Sequence, residues 1–383
     1  MNGYYERICV FHTIFNGKTS YCHMNKFSCT FLLCCFFSFV SWTQGDLAPK
    51  YSNEFLTLGV GADAFSMGNA VVASTEGVNA SYWNPAGLIH QSTKMEASLM
   101  HSEYFAGIAK YDHAAFSYKL DNDHVLGFSF IRFGVDDIPN TTQLIDNNGV
   151  INYDNVQLFT AADYAFIGSY SKRLKIKGMS VGGNAKIIYR NIGDFAHSWG
   201  FGLDAGWQYQ LPKHWKFGVM ARDVTSTFNA WVFDLSPEIQ SVFQATQNEL
   251  PKNGIELTLP RFIFAASGNF DLGKKGLNLS TELDVDMTTD GQRNVLFKTK
   301  VASFDPHLGL CLNYKNLVKV RGGVSNIQQF TNFDQSKYWG IQPNLGVGVK
   351  LKNVQLDYAF TRLGDVKTSY YTHVFSLRFQ FGK

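Results

Sequence analysis

The sequence has almost no cysteine once its first 35 residues are set aside. Five of its six cysteines lie in that stretch, and only Cys311 follows. A chain with a single cysteine has no internal disulfide and no thiolate metal cluster. The folded part of the protein must therefore be stabilised without covalent cross-links.

Charge and long apolar runs are also scarce. Charged residues make up 17% of the chain, the formal net charge is only +3, and the basic residues are dispersed, which argues against a nucleic-acid partner. Beyond residue 45 no apolar run approaches the roughly 20 residues of a membrane-spanning helix. The mean hydropathy of −0.12 is also too low for a helical membrane protein. Neither test excludes a β-barrel, because half of its strand residues are polar.

The N-terminal region has the features of an export signal. A basic start at 24–26 precedes an apolar stretch at 31–40 and a candidate cleavage region at 43–45, which ends in the small residue Gly45. This pattern predicts a signal peptide over 24–45, cleaved near Gly45. We interpret residues 1–23 as a mis-assigned N-terminal extension, with Met24 as the true start. A lipoprotein anchored at Cys34 is the alternative, which Leu33 disfavours because a small residue should precede a lipidated cysteine.

The stretch 198–211 carries the clearest structural pattern. Trp199, Phe201, Leu203 and Trp207 share one face, and serine, glycine, aspartate and glutamine residues occupy the other. A period of two indicates a strand. Aromatic residues at both tips of an otherwise aliphatic or small-residue face are typical of a lipid-facing strand in an outer-membrane barrel. The alternative is a half-buried strand of a soluble sandwich.

Fourteen strand-like segments follow residue 93. They span 95–103, 109–120, 124–133, 160–172, 177–190, 197–211, 214–223, 259–270, 276–286, 306–314, 316–324, 338–350, 353–361 and 370–381. Short turns alternate with longer loops, as in outer-membrane barrels. We therefore predict an all-β fold: a transmembrane, antiparallel, up-and-down β-barrel of about 14 strands over 94–383.

The predicted barrel implies a location and two partners. An even strand count places both termini on the periplasmic side of the bacterial outer membrane, with outer-membrane lipid around the wall. The last strand is apolar and aromatic up to Phe381, and it resembles the signal read by the barrel assembly machinery during insertion. Gly382 and Lys383 depart from that pattern.

A segment rich in small residues precedes the first strand. It includes the glycine-rich run 59–70 and the motif Trp83, Asn84, Pro85, Ala86, Gly87, Leu88. Glycines permit tight backbone turns, and a proline pushes the preceding residue into an extended conformation. We therefore predict a compact periplasmic hatch, or plug, over 46–93 that fits inside the barrel.

These motifs resemble a known family. The 59–70 run followed by the 83–88 motif resembles the N-terminal hatch of FadL-type barrels. Residues 51–56 and 356–360, with Gly364, His373 and 375–377, resemble the PorV/PorQ branch of that superfamily, which belongs to the type IX secretion system of Bacteroidetes. The resemblance covers 46–383. Asp63 stands where the family usually has arginine.

The resemblance implies a function. A PorV/PorQ-type barrel is non-enzymatic and accepts or shuttles secreted cargo. Its partners would be the type IX translocon or a cargo C-terminal domain. The alternative is a FadL-like channel for uptake of hydrophobic small molecules. The inward strand faces are mostly polar in sequence, which leans against that alternative.

The sequence shows no catalytic, cofactor or metal motif. Its ten histidines are scattered, without a spacing such as HExxH. The carboxylates at 282, 284 and 286 share a strand face, where Ca²⁺ is the less favoured occupant. Inward charges in a barrel need counter-charges, so we expect them to pair within the lumen. The predicted lumen charges are Lys186, Arg190, Asp204, Arg222, Glu282, Asp284, Lys319, Arg321 and Asp357.

The longest predicted loop, 224–258, combines aromatic residues with a short helix. Ser236 can cap that helix, with Pro237 at its first position. Exposed apolar groups can mark a partner surface. The segment is therefore either a lid over the barrel mouth or an extracellular docking surface. The candidate docking residues are Trp231, Phe233, Ile239, Val242 and Phe243.

Overall fold

A computed structural model describes residues 52–145, 149–273, 276–363 and 370–382. The predicted signal peptide, the predicted N-terminal extension and the first residues of the predicted hatch lie outside this part of the chain. Among the described residues, no helix combines the length and the hydropathy needed to span a bilayer.

The strands form one closed antiparallel barrel of fourteen, which confirms the predicted fold class. Each strand pairs with its neighbours in sequence, and the last closes on the first through pairs from Met95↔Phe381 to Glu103↔His373. Closure leaves no sheet edge facing lipid, which could not solvate it. The strands are β1 Met95–Tyr104, β2 Ala109–Lys119, β3 His124–Asn140, β4 Gln157–Arg173, β5 Met179–Ile192, β6 Ala196–Gln210, β7 Trp215–Arg222 with Thr227–Phe233, β8 Gly254–Thr258 with Arg261–Asp271, β9 Leu277–Thr288, β10 Ser303–Tyr314, β11 Val318–Thr331, β12 Lys337–Leu351, β13 Val354–Leu363 and β14 Tyr370–Phe381.

Strands β7 and β8 are each built from two segments. Both segments of β7 pair with β6. The second segment of β7 pairs with the first segment of β8, from Thr227↔Thr258 to Trp231↔Gly254. Asp223 and Ser226 adopt positive φ at the interruption in β7. The prediction that 224–258 is one loop is therefore wrong: the hairpin extends beyond the predicted ends, and the connection shrinks to 234–253.

The helices are few and short. Two belong to the segment before β1, namely α1 (Ala62–Ser66) and α2 (Ala80–Trp83), and two 3-10 turns accompany them at Glu54–Thr57 and Pro85–His90. Helix α3 (Pro237–Ala245) lies in the connection between β7 and β8. A further 3-10 turn covers Tyr153–Asn155, and a two-residue strand, Phe297–Lys298, pairs with β10.

The outer surface of the barrel is apolar, as predicted from the alternation. On β6, Trp199 is 55% exposed, whereas Ser198 and Gly200 are buried. On β12, Leu345 is 62% exposed on the outside, whereas Asn344 is buried inside. A soluble sandwich would bury such side chains, whereas lipid covers them in a membrane barrel.

The two ends of the barrel differ in the length of the connections between strands. Connections of at most five residues close one end, for example 120–123, 174–178 and 352–353. The opposite end carries the long connections 141–156, 234–253 and 289–302, together with short ones after β1, β5 and β11. We refer to these as the short-turn end and the long-loop end.

A charge placed on the outer wall tests the lipid-facing assignment. We expect Leu345→Arg, near the middle of β12, to lower the free energy of unfolding in phospholipid vesicles by about 2–4 kcal/mol, because an arginine near the bilayer centre is poorly solvated. The control is Phe333→Arg in the exposed β11–β12 connection, which should change stability little. Urea titration of both variants provides the measurement, and equal stabilities would contradict a lipid-facing wall.

Candidate functional site

The segment before β1 fills the interior of the barrel as a plug. Near the long-loop end, Ser52 Oγ donates to Glu256 Oε2 at 3.0 Å, and Asn53 Nδ2 donates to Thr258 Oγ1 at 3.0 Å. At the short-turn end, the Lys94 backbone N–H donates to the Gly382 carbonyl at 3.1 Å. The described plug therefore runs from one end of the wall to the other before it enters β1.

Glycines on the inner wall form the seat of the plug. A Cβ on Gly323 would lie 2.5 Å from the Met67 carbonyl oxygen, and one on Gly182 would lie 2.5 Å from the Pro85 carbonyl carbon. Side chains at these positions would displace the plug backbone. The other wall glycines that meet the plug within 3 Å in this way are Gly206, Gly218, Gly309 and Gly346.

Two wall carboxylates bind the backbone of the plug. Asp284 Oδ2 accepts from the N–H groups of Val71 and Val72, both at 3.0 Å. Glu282 Oε1 accepts from the next two N–H groups along the plug, at 2.7 and 3.2 Å. These bonds satisfy donors that would otherwise be buried without a partner.

The predicted hatch motif is the part of the plug that contacts both the rest of the plug and the wall. Asn84 is extended, as Pro85 requires, and its side chain donates to the carbonyls of Val72 and Trp207, both at 3.1 Å. Trp83 Nε1 donates to the Val60 carbonyl at 2.8 Å. Ala86 and Gly87 are buried, and Leu88 packs with Ala80, Ile89 and Val125. The motif thus holds two parts of the plug together and attaches the plug to strand β6.

The predicted lumen charges lie on inward positions of the wall. Pairs form between Lys186 and Asp204 at 2.7 Å and between Arg321 and Asp357 at 2.8 Å. Arg190 pairs with Asp163 at 2.8 Å, and Lys319 is half-buried. The expectation that Glu282 and Asp284 face wall cations is wrong, because backbone N–H groups of the plug bind them instead. Among the described residues no group of acidic, histidine or cysteine side chains could hold a metal ion.

One further ion pair joins the plug to the wall. Arg378 Nη2 on β14 lies 2.8 Å from Asp63 Oδ2 on α1. Burial alone would raise the pKa of Asp63, but the charges of Arg378, Arg321 and Lys319 hold that pKa below its usual value. A lowered pKa keeps the carboxylate charged at neutral pH, so this contribution is lost only as the pH falls through the shifted value.

Buried apolar side chains of the plug and of the inner wall pack against each other inside the lumen, and we call this packed region the apolar chamber. The plug contributes Phe55, Leu56, Phe65, Tyr82 and Trp83 to it. Tyr104, Tyr111 and Phe133 form an aromatic cluster on the wall, with ring centroids 5.9 to 6.3 Å apart. The prediction of a mostly polar inward face therefore fails in this region. The other inward wall residues of the chamber are Met100, Ala109, Ile131, Ala165, Ile167, Ile188, Met220, Ile263, Ala265, Ala359 and Val374.

A cavity opens among the connections at the long-loop end. Its volume is about 720 Å³, which is in the range of small-molecule sites. Phe159 and Phe195 form an edge-to-face pair in its lining, with ring centroids 5.2 Å apart. Amide and hydroxyl groups alternate with these apolar side chains. The cavity is therefore suited to a ligand with both polar and apolar surface.

The candidate docking residues lie on two elements, a strand and the short helix that follows it. Trp231 and Phe233 belong to strand β7, and Trp231 is half-buried beneath Arg190, whose guanidinium lies 5.0 Å from the ring centroid. Helix α3 begins as predicted, with Ser236 Oγ accepting from the Ile239 N–H at 3.4 Å. Ile239 lines the 720 Å³ cavity. Val242 and Phe243 are half-buried on the same short helix.

Sequence comparison finds no relative, whereas structure comparison does. No protein-family profile and no curated protein matches the sequence. The CymD monoaromatic hydrocarbon channel matches with a TM-score of 0.54 and 13% identity, covering 85% of this chain and 98% of CymD. The Pseudomonas putida toluene transporter TodX matches with a TM-score of 0.52 and 13% identity, covering 84% and 98%. The Ralstonia pickettii toluene transporter TbuX matches with a TM-score of 0.50 and 14% identity, covering 84% and 98%.

The chain has the fold of these three barrels. The fold implied by the sequence resemblance is therefore supported, whereas membership of the FadL-like superfamily, its PorV/PorQ branch and the type IX role stay predictions. The structural superpositions establish a shared fold, and at identities of 13 and 14% they establish no more than that. They leave the substrate to be inferred from the site.

Adding one methyl group to the plug seat tests the fit. We expect Gly323→Ala to push Met67 and Gly68 off the wall and to lower stability by about 1–3 kcal/mol, the usual effect of overpacking. The adjacent Gly322→Ala is the matched control, since its Cβ would meet nothing closer than 3.6 Å. Limited proteolysis between 60 and 75, with urea titration, measures both effects. Equal behaviour of the two variants would contradict a tightly seated plug.

Removing a wall carboxylate tests the backbone contacts. We expect Asp284→Ala to leave the N–H groups of Val71 and Val72 unpaired, which costs about 1–3 kcal/mol for each buried group. Asp284→Asn keeps an acceptor oxygen and should retain much of the contact. Amide hydrogen exchange at residues 71 and 72 should accelerate strongly in the alanine variant only. Unchanged exchange in that variant would show that Asp284 does not hold the plug.

Proposed function

We propose that this protein is an outer-membrane channel for hydrophobic small molecules, closed by its plug in the state described. The observation that carries this proposal is the apolar chamber between the plug and the wall. A polar solute gains nothing from such a lining, whereas a hydrophobic solute is favoured by roughly 25 cal/mol for each Å² of apolar surface it buries.

The fold supports the proposal, since the similar solved structures are named as hydrocarbon channels and toluene transporters. The cavity at the long-loop end offers a first binding place outside the chamber. Hydrogen bonds, ion pairs and van der Waals packing hold the plug, and none of them is covalent. A plug held in this way can shift when a ligand binds.

Locking the plug tests the proposal. Ser81 Oγ on α2 lies 2.7 Å from Ser129 Oγ on β3, and both side chains are buried. We expect Ser81→Cys with Ser129→Cys to form a disulfide under oxidation and to block uptake of radiolabelled toluene by cells that express the channel. Reduction should restore uptake, and each single variant serves as a control. Uptake that persists in the oxidised double variant would overturn a plug-gated channel.

The type IX role is the less favoured candidate. Its predicted docking residues are divided between a strand, a helix and a cavity lining, and the barrel interior is too full to admit a folded cargo. Removing 231–243 should abolish co-purification of cargo or translocon if that role holds. Under the channel proposal the deletion leaves such co-purification unchanged.

A further inference from the structure

A group of charged side chains interrupts the apolar outer surface of the barrel. It lies on three adjacent strands, β1, β2 and β3, at positions that the alternation turns outward. The neighbouring residues Ser102, Tyr111 and Ile131 are buried on the inner side. We call this group the outer charge cluster, and its members are His101, Glu103, Lys110, Asp112, Arg132 and Asp136.

The apolar band is shorter on these strands than on β12. There, every outward residue from Trp339 to Leu351 is apolar, which is a distance of about 40 Å along the strand. On β1 the apolar outward residues run only from Met95 to Leu99, or about 13 Å. The next outward position of β1 belongs to His101, the first member of the outer charge cluster.

The cluster therefore lies at a depth that acyl chains would otherwise cover. Met95 pairs with Phe381 and Tyr118, whose rings mark the membrane interface at the short-turn end. With strands tilted by roughly 35–45°, His101 and Asp112 lie about 15 Å from that level, inside an apolar band about 25 Å tall. Lipid-facing charges are unfavourable at such a depth, so the cluster needs a polar cover.

Within one copy of the chain the cluster is only partly satisfied. Asp136 accepts from Lys110 Nζ at 3.1 Å and from Arg132 Nη2 at 3.0 Å. Glu103 differs, because its nearest cationic group among the described residues is His101 Nε2, at 3.8 Å. Its side chain is 59% exposed. Glu103 is thus an acid on the outer wall that still needs a close partner.

The signs of the charges favour a protein surface over an anionic lipid. The cluster has three carboxylates and two permanent cations. A lipid phosphate would therefore meet more negative than positive charge. A surface that carries both signs can be matched by another surface of mixed sign, and the same cluster on a second copy of this chain is such a surface.

The strand register places opposite charges of the cluster at one height. Glu103 pairs with Lys110, and Lys110 pairs with Gly134, along a line perpendicular to the strands. Around the closed wall such lines rise toward the long-loop end by roughly one residue per strand, the stagger that closure requires. Glu103 on β1 is therefore level with Arg132 on β3, two residues below Gly134.

We propose that the outer charge cluster is the interface of a homodimer within the membrane. Two copies inserted in the same direction are related by a two-fold axis along the membrane normal, so β1 of one copy faces β3 of the other. Glu103 of each copy then faces Arg132 of the second copy at the same height, and the pair forms twice. The connection after β1 covers only 105–108, so no long loop rises above that side of the surface.

Charge reversal tests the interface in the complete protein, reconstituted in phosphatidylcholine vesicles. Donor and acceptor dyes on Lys213→Cys, in the exposed β6–β7 connection, report association by energy transfer, since Cys311 is buried. We expect Glu103→Arg or Arg132→Glu alone to weaken association at least about tenfold, because like charges then face each other twice.

Mixing the two single variants provides the sharpest measurement. When Glu103→Arg protein meets Arg132→Glu protein, every facing pair again has opposite signs, so we expect association to return. The double variant, with both reversals in one chain, should associate with itself for the same reason. A change that merely damaged the fold would be rescued by neither combination.

Two further variants serve as controls. Lys298→Glu reverses an exposed charge in the connection between β9 and β10, away from the cluster, and should leave association unchanged. Glu103→Gln tests the interface if Arg132→Glu fails to insert, because the Glu103 side chain has no hydrogen bond within the described part of the chain. It should weaken association without introducing repulsion.

Three results would overturn the homodimer. One is the absence of energy transfer between unaltered copies. Another is association that both single reversals leave unchanged, which would assign it to a different surface. The third is lipopolysaccharide that stays bound to a monomeric protein and is released by Arg132→Glu, which would assign the cluster to lipid. None of these measurements involves solute uptake, so the channel proposal stands or falls separately.

Discussion

Carboxylates of the wall hold backbone N–H groups of the plug, and much of the interior depends on this contact. A closed barrel of fourteen strands encloses a space into which half of its strand residues point. In that space a polar group must find a protein partner or water. Asp284 and Glu282 bind four consecutive N–H groups of the plug, and the wall glycines bring the two backbones close enough for these bonds to form.

The interior has two chemically different parts. In one, glycines, carboxylates and the Asn84 side chain bind the plug backbone by close approach and hydrogen bonding. In the other, aromatic and aliphatic wall residues pack against Phe65, Tyr82 and Trp83. The first part explains why the plug stays inside the barrel. Under the proposed channel function, the second part is the region that a hydrophobic molecule would occupy when the plug moves.

Much of the barrel could be predicted from the sequence because lipid and lumen impose opposite requirements on alternate residues. The pattern at 198–211 identified both faces of β6, and every predicted strand segment corresponds to one strand of the barrel. The sequence pattern did not predict the second segment of β7 or the first segment of β8, because both are short and flank a polar connection that contains a helix. The hatch motif was recognised from Asn84 and Pro85, whose conformations depend on neighbours in sequence.

The chamber and the partners of the lumen charges could not be predicted in the same way. Ile188 lies between Lys186 and Arg190 on a strand face that is otherwise polar, yet it is fully buried in the chamber. Which carboxylate meets a cation and which meets a backbone N–H depends on how the plug is placed. That placement joins residues more than 200 positions apart in the sequence, as in the contact between Val71 and Asp284. A local pattern carries no information about such pairs.

The junction at Lys94 has a consequence for how the molecule is assembled. The same residue ends the plug, bonds to Gly382 at the end of the last strand and accepts from the Lys119 N–H of β2. The end of the plug is thus fixed at the place where β1 meets β14, and six glycines on six different strands surround the segment ahead of it. We therefore expect plug docking and closure of the β1–β14 seam to be coupled during assembly, since an open seam would lack the Lys94–Gly382 bond that fixes the end of the plug.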